Sequence, residues 1–273
     1  MLELPEVLAR AQELSAALAG KTVADVLPPS SPHKFCWFTV PLNELAGRLN
    51  GRAFQGAEGS GIYVDMDFGG AYLAVNDGVN LRFLAADEKR PAKYQLLIEF
   101  TDGAALAFTI AMYGGICLHD GGWDNEYWRA SRERTSPLSD SFTFGYFESL
   151  VASVKPTTSA KALLATQQRI PGLGNGVLQD VLWNARIHPK RKVSSFTQDE
   201  KRALYESIRA TLAAMAAQGG RDTEKTIHGN PGGYKTLMSK NALPHGCPAC
   251  GGEIRKETYM GGAVYYCPNC QPL

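Results

Sequence analysis

No apolar run among these 273 residues approaches the roughly 20 that a membrane-spanning helix needs, which argues against an α-helical membrane protein. The opening MLELPEVLARAQ carries acids before any apolar stretch, so it lacks the pattern of a signal or transit peptide, and the expected location is cytoplasmic. Cysteine is scarce. Six in the chain are too few for a disulfide scaffold, and four of them fall in two C-x-x-C pairs near the end. The other two, Cys36 and Cys117, read as buried thiols of the first half. Net charge is almost absent as well, at +1, which taken whole is unpromising for a nucleic-acid binder.

That small sum hides an asymmetry. Residues 1–150 hold 12 Lys/Arg against 19 Asp/Glu, a net of −7, and residues 151–273 hold 16 against 8, a net of +8. A basic second half is an electrostatic footprint for phosphate, although an unevenly charged solvated surface would give the same count. Hydrophobic residues at 44% and charged residues at 20% are ordinary for a soluble globular chain, long enough for two domains and a small appendage.

Pro5 suits the first turn of a helix, and Val7, Leu8, Ala11, Leu14 and Leu18 follow a helical period until Gly20. From Thr22 to about His119 the pattern becomes short β-branched and aromatic runs. These include IYVDMDF (62–68), AYLAVND (71–77) and a hairpin turning at Asp102-Gly103, and they predict a β-sandwich. Residues 122–140 mix aromatics, charges and a Ser-Pro step and read as a linker. Helical patterns follow at 141–154, 159–168 and 176–187, and in a long helix with a capping box at Thr197 and Glu200 that closes at Gly219-Gly220. The segment 219–235 is too glycine-rich for a regular element and reads as a mobile loop. The expected class is therefore α+β: a sandwich flanked by helices over 1–130, a helical domain over 131–240, and a terminal unit over 241–273.

Two motifs carry chemistry. Cys247-Pro-Ala-Cys250 and Cys267-Pro-Asn-Cys270 are sixteen residues apart, the spacing of a zinc ribbon in which two turns each present two thiolates to one tetrahedral Zn2+. Such a site is closed and structural, and it ties a β-hairpin that could enter a nucleic-acid groove. In IPGLGNGVLQDVLWNARIHPKRK (170–192), Gly172 and Gly174 permit a tight turn. Asn175 then heads a helix whose free N–H groups suit a phosphate. A plain packing turn between helices, or a helix-hairpin-helix, remains open at this point.

Together these stretches resemble the formamidopyrimidine-DNA glycosylase and endonuclease VIII family. Residues 170–192 look like its helix-two-turn-helix, and the terminal cysteine segment like its zinc finger. Leu2-Glu3-Leu4-Pro5-Glu6-Val7 resembles its opening Pro-Glu-Leu-Pro-Glu-Val, and residues 136–140 and 187–189 match in order. The resemblance implies a monomeric enzyme of base excision repair that binds damaged or abasic double-stranded DNA between its two domains. In such enzymes an N-terminal proline attacks the sugar of a flipped nucleotide as a Schiff-base nucleophile. Its acidic neighbour, here Glu3, shuttles protons.

This chain departs from the pattern at that proline, which is Leu2. A large second residue should leave Met1 in place, so the free amine belongs to Met1 and stands ~3.5 Å out of register. Glu6 is a further acid on the same segment, and both acids also suit a helix start. No Lys occurs near Ser60, where the family has one. Met112 and Tyr113 replace an expected Arg and Phe among the void-filling residues, and Gly262 replaces an Arg of the zinc finger. The expected DNA contacts that survive are Asn175, Gly174, Lys161 and Tyr113 as a wedge. The expectation is a damaged-DNA glycosylase or abasic-site lyase with impaired or rerouted Schiff-base chemistry, Glu3 activating water being one route. A catalytically silent DNA-binding or damage-marking protein, and a zinc-ribbon protein serving RNA or a protein partner, are the alternatives.

Overall fold

The computed structural model describes residues 1–273. Helix α1 (Leu4–Ala17) opens the chain and is followed by β1 (Val23–Leu27), β2 (Cys36–Phe38) and α2 (Leu42–Leu49). Strands β3 (Gly56–Ser60), β4 (Tyr63–Asp67), β5 (Tyr72–Asn76), β6 (Val79–Leu84), β7 (Leu96–Phe100), β8 (Ala105–Ile110) and β9 (Gly114–His119) come next. The helical part holds α3 (Glu126–Glu133), α4 (Phe144–Ala152), α5 (Ala160–Ala165), α6 (Leu178–Asn184) and α7 (Gln198–Ala217). A hairpin of β10 (Arg255–Tyr259) and β11 (Gly262–Tyr266) ends it. No helix is long and apolar enough to cross a membrane.

The strands form a four-stranded sheet in the order β1-β7-β8-β6 and a five-stranded sheet in the order β2-β9-β5-β4-β3. Their apolar faces meet in a core of 27 buried residues, as alternating patterns on two facing sheets require. Every pairing is antiparallel except β2 with β9. The β7–β8 hairpin turns at Asp102-Gly103 as its sequence demands. A second core of 21 residues fills the helical part. Helix α1 belongs to both. Leu2, Val7, Ala11 and Leu14 at its start and along it enter the sandwich core, while Leu4 enters the helical one. The capping box on α7 is present in full, with Glu200 N–H donating to Thr197 Oγ1 and Thr197 N–H donating to Glu200 Oε2.

Four expectations need correction. The segment 122–140 is more than a linker, because α3 lies inside it: Asn125 caps the helix by accepting from the Trp128 N–H. Mixed composition hid a helix whose burial depends on a partner far away in sequence. Helices α5 and α6 are shorter than their patterns, since Gln167 and Gln168 turn to positive φ after α5, and α6 begins only at Leu178. Cys117 is buried, but Cys36 is only half-buried. The segment 219–235 forms no regular element, yet it is packed against the body of the protein. Its ends are bonded together by the Tyr234 N–H to Gly220 and the Asp222 N–H to Tyr234, and Ile227 lies in the sandwich core.

The partner of α3 is Asp65 on β4. Its carboxylate pairs with His119 Nε2 at 2.9 Å and accepts from Trp128 Nε1 at 3.3 Å and Arg132 Nη2 at 2.9 Å. Burial alone would raise this carboxyl, but the bonds from His119 and Arg132 prevail and hold it below its ordinary value. The folded protein therefore releases this proton more readily than the unfolded chain. The resulting stability is complete above the unfolded value near ~3.9 and is lost as pH falls through the lower folded value. Urea unfolding followed across pH should show this acid loss reduced in Asp65→Asn, which at pH 7 should itself cost about 1–3 kcal/mol.

Candidate functional site

Glu3 is the N-cap residue of α1, yet its carboxylate caps nothing there. It reaches across the junction and accepts the N–H groups of Gly176 at 2.8 Å and Val177 at 2.7 Å, the amides that precede α6. The helix head offered to a phosphate by the sequence is thus occupied by the protein's own carboxylate. An ionised acid there satisfies orphan donors and complements the helix dipole. The approach explains a glycine, for a Cβ on Gly174 would stand 2.6 Å from Glu3 Oε1.

Arg221 completes the cluster. Its side chain, 4% exposed, places Nη2 2.7 Å from Glu6 Oε2 and 3.6 Å from Glu3 Oε2, and its Nε and backbone N–H both donate to Glu6 Oε1. Gly176 leaves the space for it, since a Cβ there would collide with Arg221 Nη1. Burial pushes the Glu3 carboxyl above its ordinary value, against the pull of Arg221 and the two amides. For Glu6 burial acts the same way, but the Arg221 charge and hydrogen bonds outweigh it and the carboxyl is held down. Glu6 is therefore a fastening for segment 219–235 and does not face an open site.

The chain start crosses the same junction. Leu2 N–H donates to Asp77 O at 2.6 Å, and the Leu2 side chain is buried in the sandwich core. The Met1 amino group pairs with the Glu224 carboxylate. Burial raises Asp77 to about 6, with Met1 pulling it down and Glu3 pushing it up. Glu224 lines two cavities, the second of them a cleft between the sandwich and segment 219–235. One of about 210 Å³ includes Asn175, Arg221, Lys240 and Tyr265 in its lining; the other, about 640 Å³, includes Asn80, Arg82, Thr109 and His228.

The hairpin lines the first cavity through Tyr265 and packs on the helix-turn. Asn175 Nδ2 and Gln179 Nε2 both donate to Ala263 O, at 3.0 and 3.1 Å, and Tyr265 N–H donates to Gln179 Oε1. Asn175 Oδ1 is buried without a partner. Lys161, buried and lowered in pKa by that burial, donates to Tyr259 O at 2.5 Å. The helix-turn and the hairpin are thus one assembly. Tyr113 lies apart from them, exposed on the sandwich and stacked on Trp37.

The four cysteine Sγ atoms of Cys247, Cys250, Cys267 and Cys270 all lie within 4.8 Å of one another, with Cys247–Cys270 at 3.7 Å and Cys250–Cys267 at 3.5 Å. Thiolates ~2.3 Å from a tetrahedral ion stand ~3.8 Å apart, so the donor set fits a metal. Sequence reasoning missed Arg221, Glu224 and Asp77. A lone Arg and Glu inside a glycine-rich loop were the available signal, but their partners lie more than 200 residues away.

Residues 1–112 match the model of the formamidopyrimidine-DNA glycosylase N-terminal domain, and residues 135–226 match that of the formamidopyrimidine-DNA glycosylase H2TH domain. The chain is 30% identical to a formamidopyrimidine-DNA glycosylase of a Nocardioides species, over all of this chain and 95% of that protein. It is 26% identical to that of Enterococcus faecalis, over all of this chain and 98% of that protein. A 36% match to the Thermus thermophilus enzyme is partial, spanning 50% of this chain and about half (52%) of that protein. Among solved structures, the Lactococcus lactis Fpg (MutM) in complex with DNA containing N7-benzyl-Fapy-dG superposes with a TM-score of 0.85 at 24% identity, covering 99% of this chain and 100% of that chain. The Lactococcus lactis Fpg with abasic-site DNA gives 0.83 at 23%, with the same coverage.

Replacing Arg221 by Met should leave two buried carboxylates unpaired and cost about 3–5 kcal/mol in urea unfolding at pH 7. The sign of the Glu6 contribution to its pH dependence should also reverse. With no guanidinium both carboxyls sit above their unfolded values, so the variant gains stability as pH falls from 7 toward 4, whereas the Glu6 contribution of the parent is lost in acid.

Proposed function

The chain belongs to the formamidopyrimidine-DNA glycosylase family, and from that premise we propose that it is a DNA glycosylase of base excision repair that binds damaged or abasic duplex DNA, as a monomer, in the cleft beside Glu224. The observation that carries this reading is the delivery of the chain start, Met1 to Glu6, into the junction between sandwich and helical domain, where two cavities adjoin it. Asn175 and Lys161, the DNA contacts that family resemblance assigns, sit where helix-turn and hairpin meet.

Its Schiff-base step is impaired. The nitrogen of residue 2 is an amide committed to Asp77, and the primary amine of Met1 is ion-paired with Glu224. An amine held by a carboxylate must shed its proton before it attacks a sugar carbon. A catalytically silent damage-binding protein is the second reading, favoured by one observation: both oxygens of Glu3, the residue expected to activate water, accept helix amides. Family membership does not favour the RNA or protein-partner reading.

We propose that the cysteine cluster holds a structural Zn2+, which would order the terminal unit when bound. Cys247, Cys250, Cys267 and Cys270 would hold it.

The proposal is tested with a panel of lesion-bearing and abasic duplexes. Retention should fall steeply with salt, drop about 10-fold or more when Asn175 or Lys161 becomes Ala, and give little borohydride-trapped adduct. Base release lost in Glu3→Gln would support the enzyme acting through Glu3, release unchanged in that variant would support an enzyme that does not use Glu3, and no release by the unaltered protein would support the silent binder. Salt-insensitive binding, or none, would overturn the DNA reading. Chelation should disorder residues beyond about 240 and weaken retention in parallel; a metal-free protein with full affinity would contradict the assigned role of the hairpin.

A further inference from the structure

Three cations gather on the helical domain with no acid among them. Arg134, Lys155 and Arg169 line a cavity of about 590 Å³ whose lining contains no carboxylate. Every bond made by the two guanidiniums goes to a neutral oxygen. Arg134 Nη1 donates to Gln167 O at 2.5 Å, and Arg169 donates to Thr166 Oγ1 and Gln167 Oε1, each at 2.6 Å, and more weakly to the carbonyls of Ala162 and Thr166. Gln167 and Gln168 both take positive φ, 59° and 47°, as the chain leaves α5 to form this wall. Elsewhere in the domain Arg191 and Arg221 are bound by glutamates. Burial, and after it the charge of Arg134, lowers the pKa of Arg169, so the fold brings like charges together and leaves them unrelieved.

The same cavity has an apolar side. Tyr146, Leu150 and Val154 recur at every fourth position along α4 and just past its end, the spacing of one stripe on a helix. All three pack on the helical core yet stay only half-buried. A lone phosphate would answer the cations and leave Leu150 and Val154 in water, whereas an acidic segment that also carries apolar side chains answers both. Guanidinium groups suit carboxylates in particular, because their planar forks match them. The volume lies in the range of ligand-sized sites and suits a few residues of peptide. The cavity shares no lining residue with the two beside Glu224 and includes neither Asn175 nor Lys161.

We propose that this cavity docks a short acidic segment of a partner protein. Arg134, Lys155 and Arg169 receive its carboxylates, and the α4 stripe receives its apolar side chains. The inference goes beyond the DNA reading and does not depend on it.

The full chain is titrated with a fluorescein-labelled peptide, Asp-Asp-Glu-Asp-Leu-Phe, and binding is read by anisotropy; retention of an abasic duplex is measured in parallel. The peptide should bind saturably. Exchanging its acids for the corresponding amides, or its Leu-Phe for Ser-Ser, should each weaken binding by about 10-fold or more. Arg134→Glu, Lys155→Glu and Arg169→Glu should each weaken it by about 10-fold, while duplex retention is unchanged. Lys155 is exposed, so its variant tests binding without the structural bonds that the two arginines make. No saturable binding, equal binding by the amide or Ser-Ser peptide, or full binding by all three charge-reversed variants would each overturn the docking site. Duplex retention lost in those variants, with no peptide binding by the unaltered protein, would assign the three cations to the DNA backbone and overturn it as well.

Discussion

One guanidinium holds the architecture together. Arg221 lies between Glu3 and Glu6, each no more than 3% exposed, and three parts of the molecule meet at it: the start of α1, the turn before α6 and the segment 219–235. Two carboxylates at that depth could not both stay ionised without it, because desolvation and their mutual repulsion would drive at least one to bind a proton. With Arg221 in place Glu6 is held below its ordinary value and Glu3 is drawn down against the burial that raises it, and both carboxylates do further work. Glu3 satisfies amides ahead of α6, and Glu6 fastens the loop that carries Glu224 into the cleft. Position of the loop, orientation of the helix-turn and placement of the chain start are therefore one coupled arrangement.

The same arrangement changes how a phosphate would be held. A helix head already filled by a carboxylate offers fewer free amides to an anion. The remaining polar equipment near the turn is Asn175, whose amide donates to the hairpin backbone and whose oxygen is buried unpaired, together with Lys161, which donates to the hairpin turn. A Cβ added to Gly262 would lie 3.2 Å from Asn175 Nδ2. A long side chain on that glycine would contest the space that Asn175 now fills.

Much of the fold was legible because it is encoded locally. β-Branched and aromatic runs over 62–68 and 71–77 and about the Asp102-Gly103 turn specified paired strands, Thr197 and Glu200 specified the start of α7, and cysteine spacing specified the donor set. Helix α3 was misread for the opposite reason. Its residues are individually ordinary for a linker, and what makes them a buried helix is Asp65, some sixty residues earlier, which gathers Trp128, Arg132 and His119. The candidate site divides in the same way. Glu3 and Glu6 were singled out as acids of interest, but whether an acid is a base in a cleft or a buried fastening depends on what lies across from it, and nothing within a few residues decides that.

The sequence by itself determined the α+β class, the order of sandwich, helices and terminal ribbon, the four clustered cysteines and the leucine at position 2, because each is written in spacings of a few residues or in a single residue's identity. Only the tertiary structure decided that the amides before α6 belong to Glu3, that Arg221 binds both glutamates, that Met1 meets Glu224 and that Trp37 lies on Tyr113. Those contacts join positions from about 75 to more than 220 residues apart. Their energies depend on desolvation and on distances of a few ångströms, quantities that exist only once the chain has closed on itself.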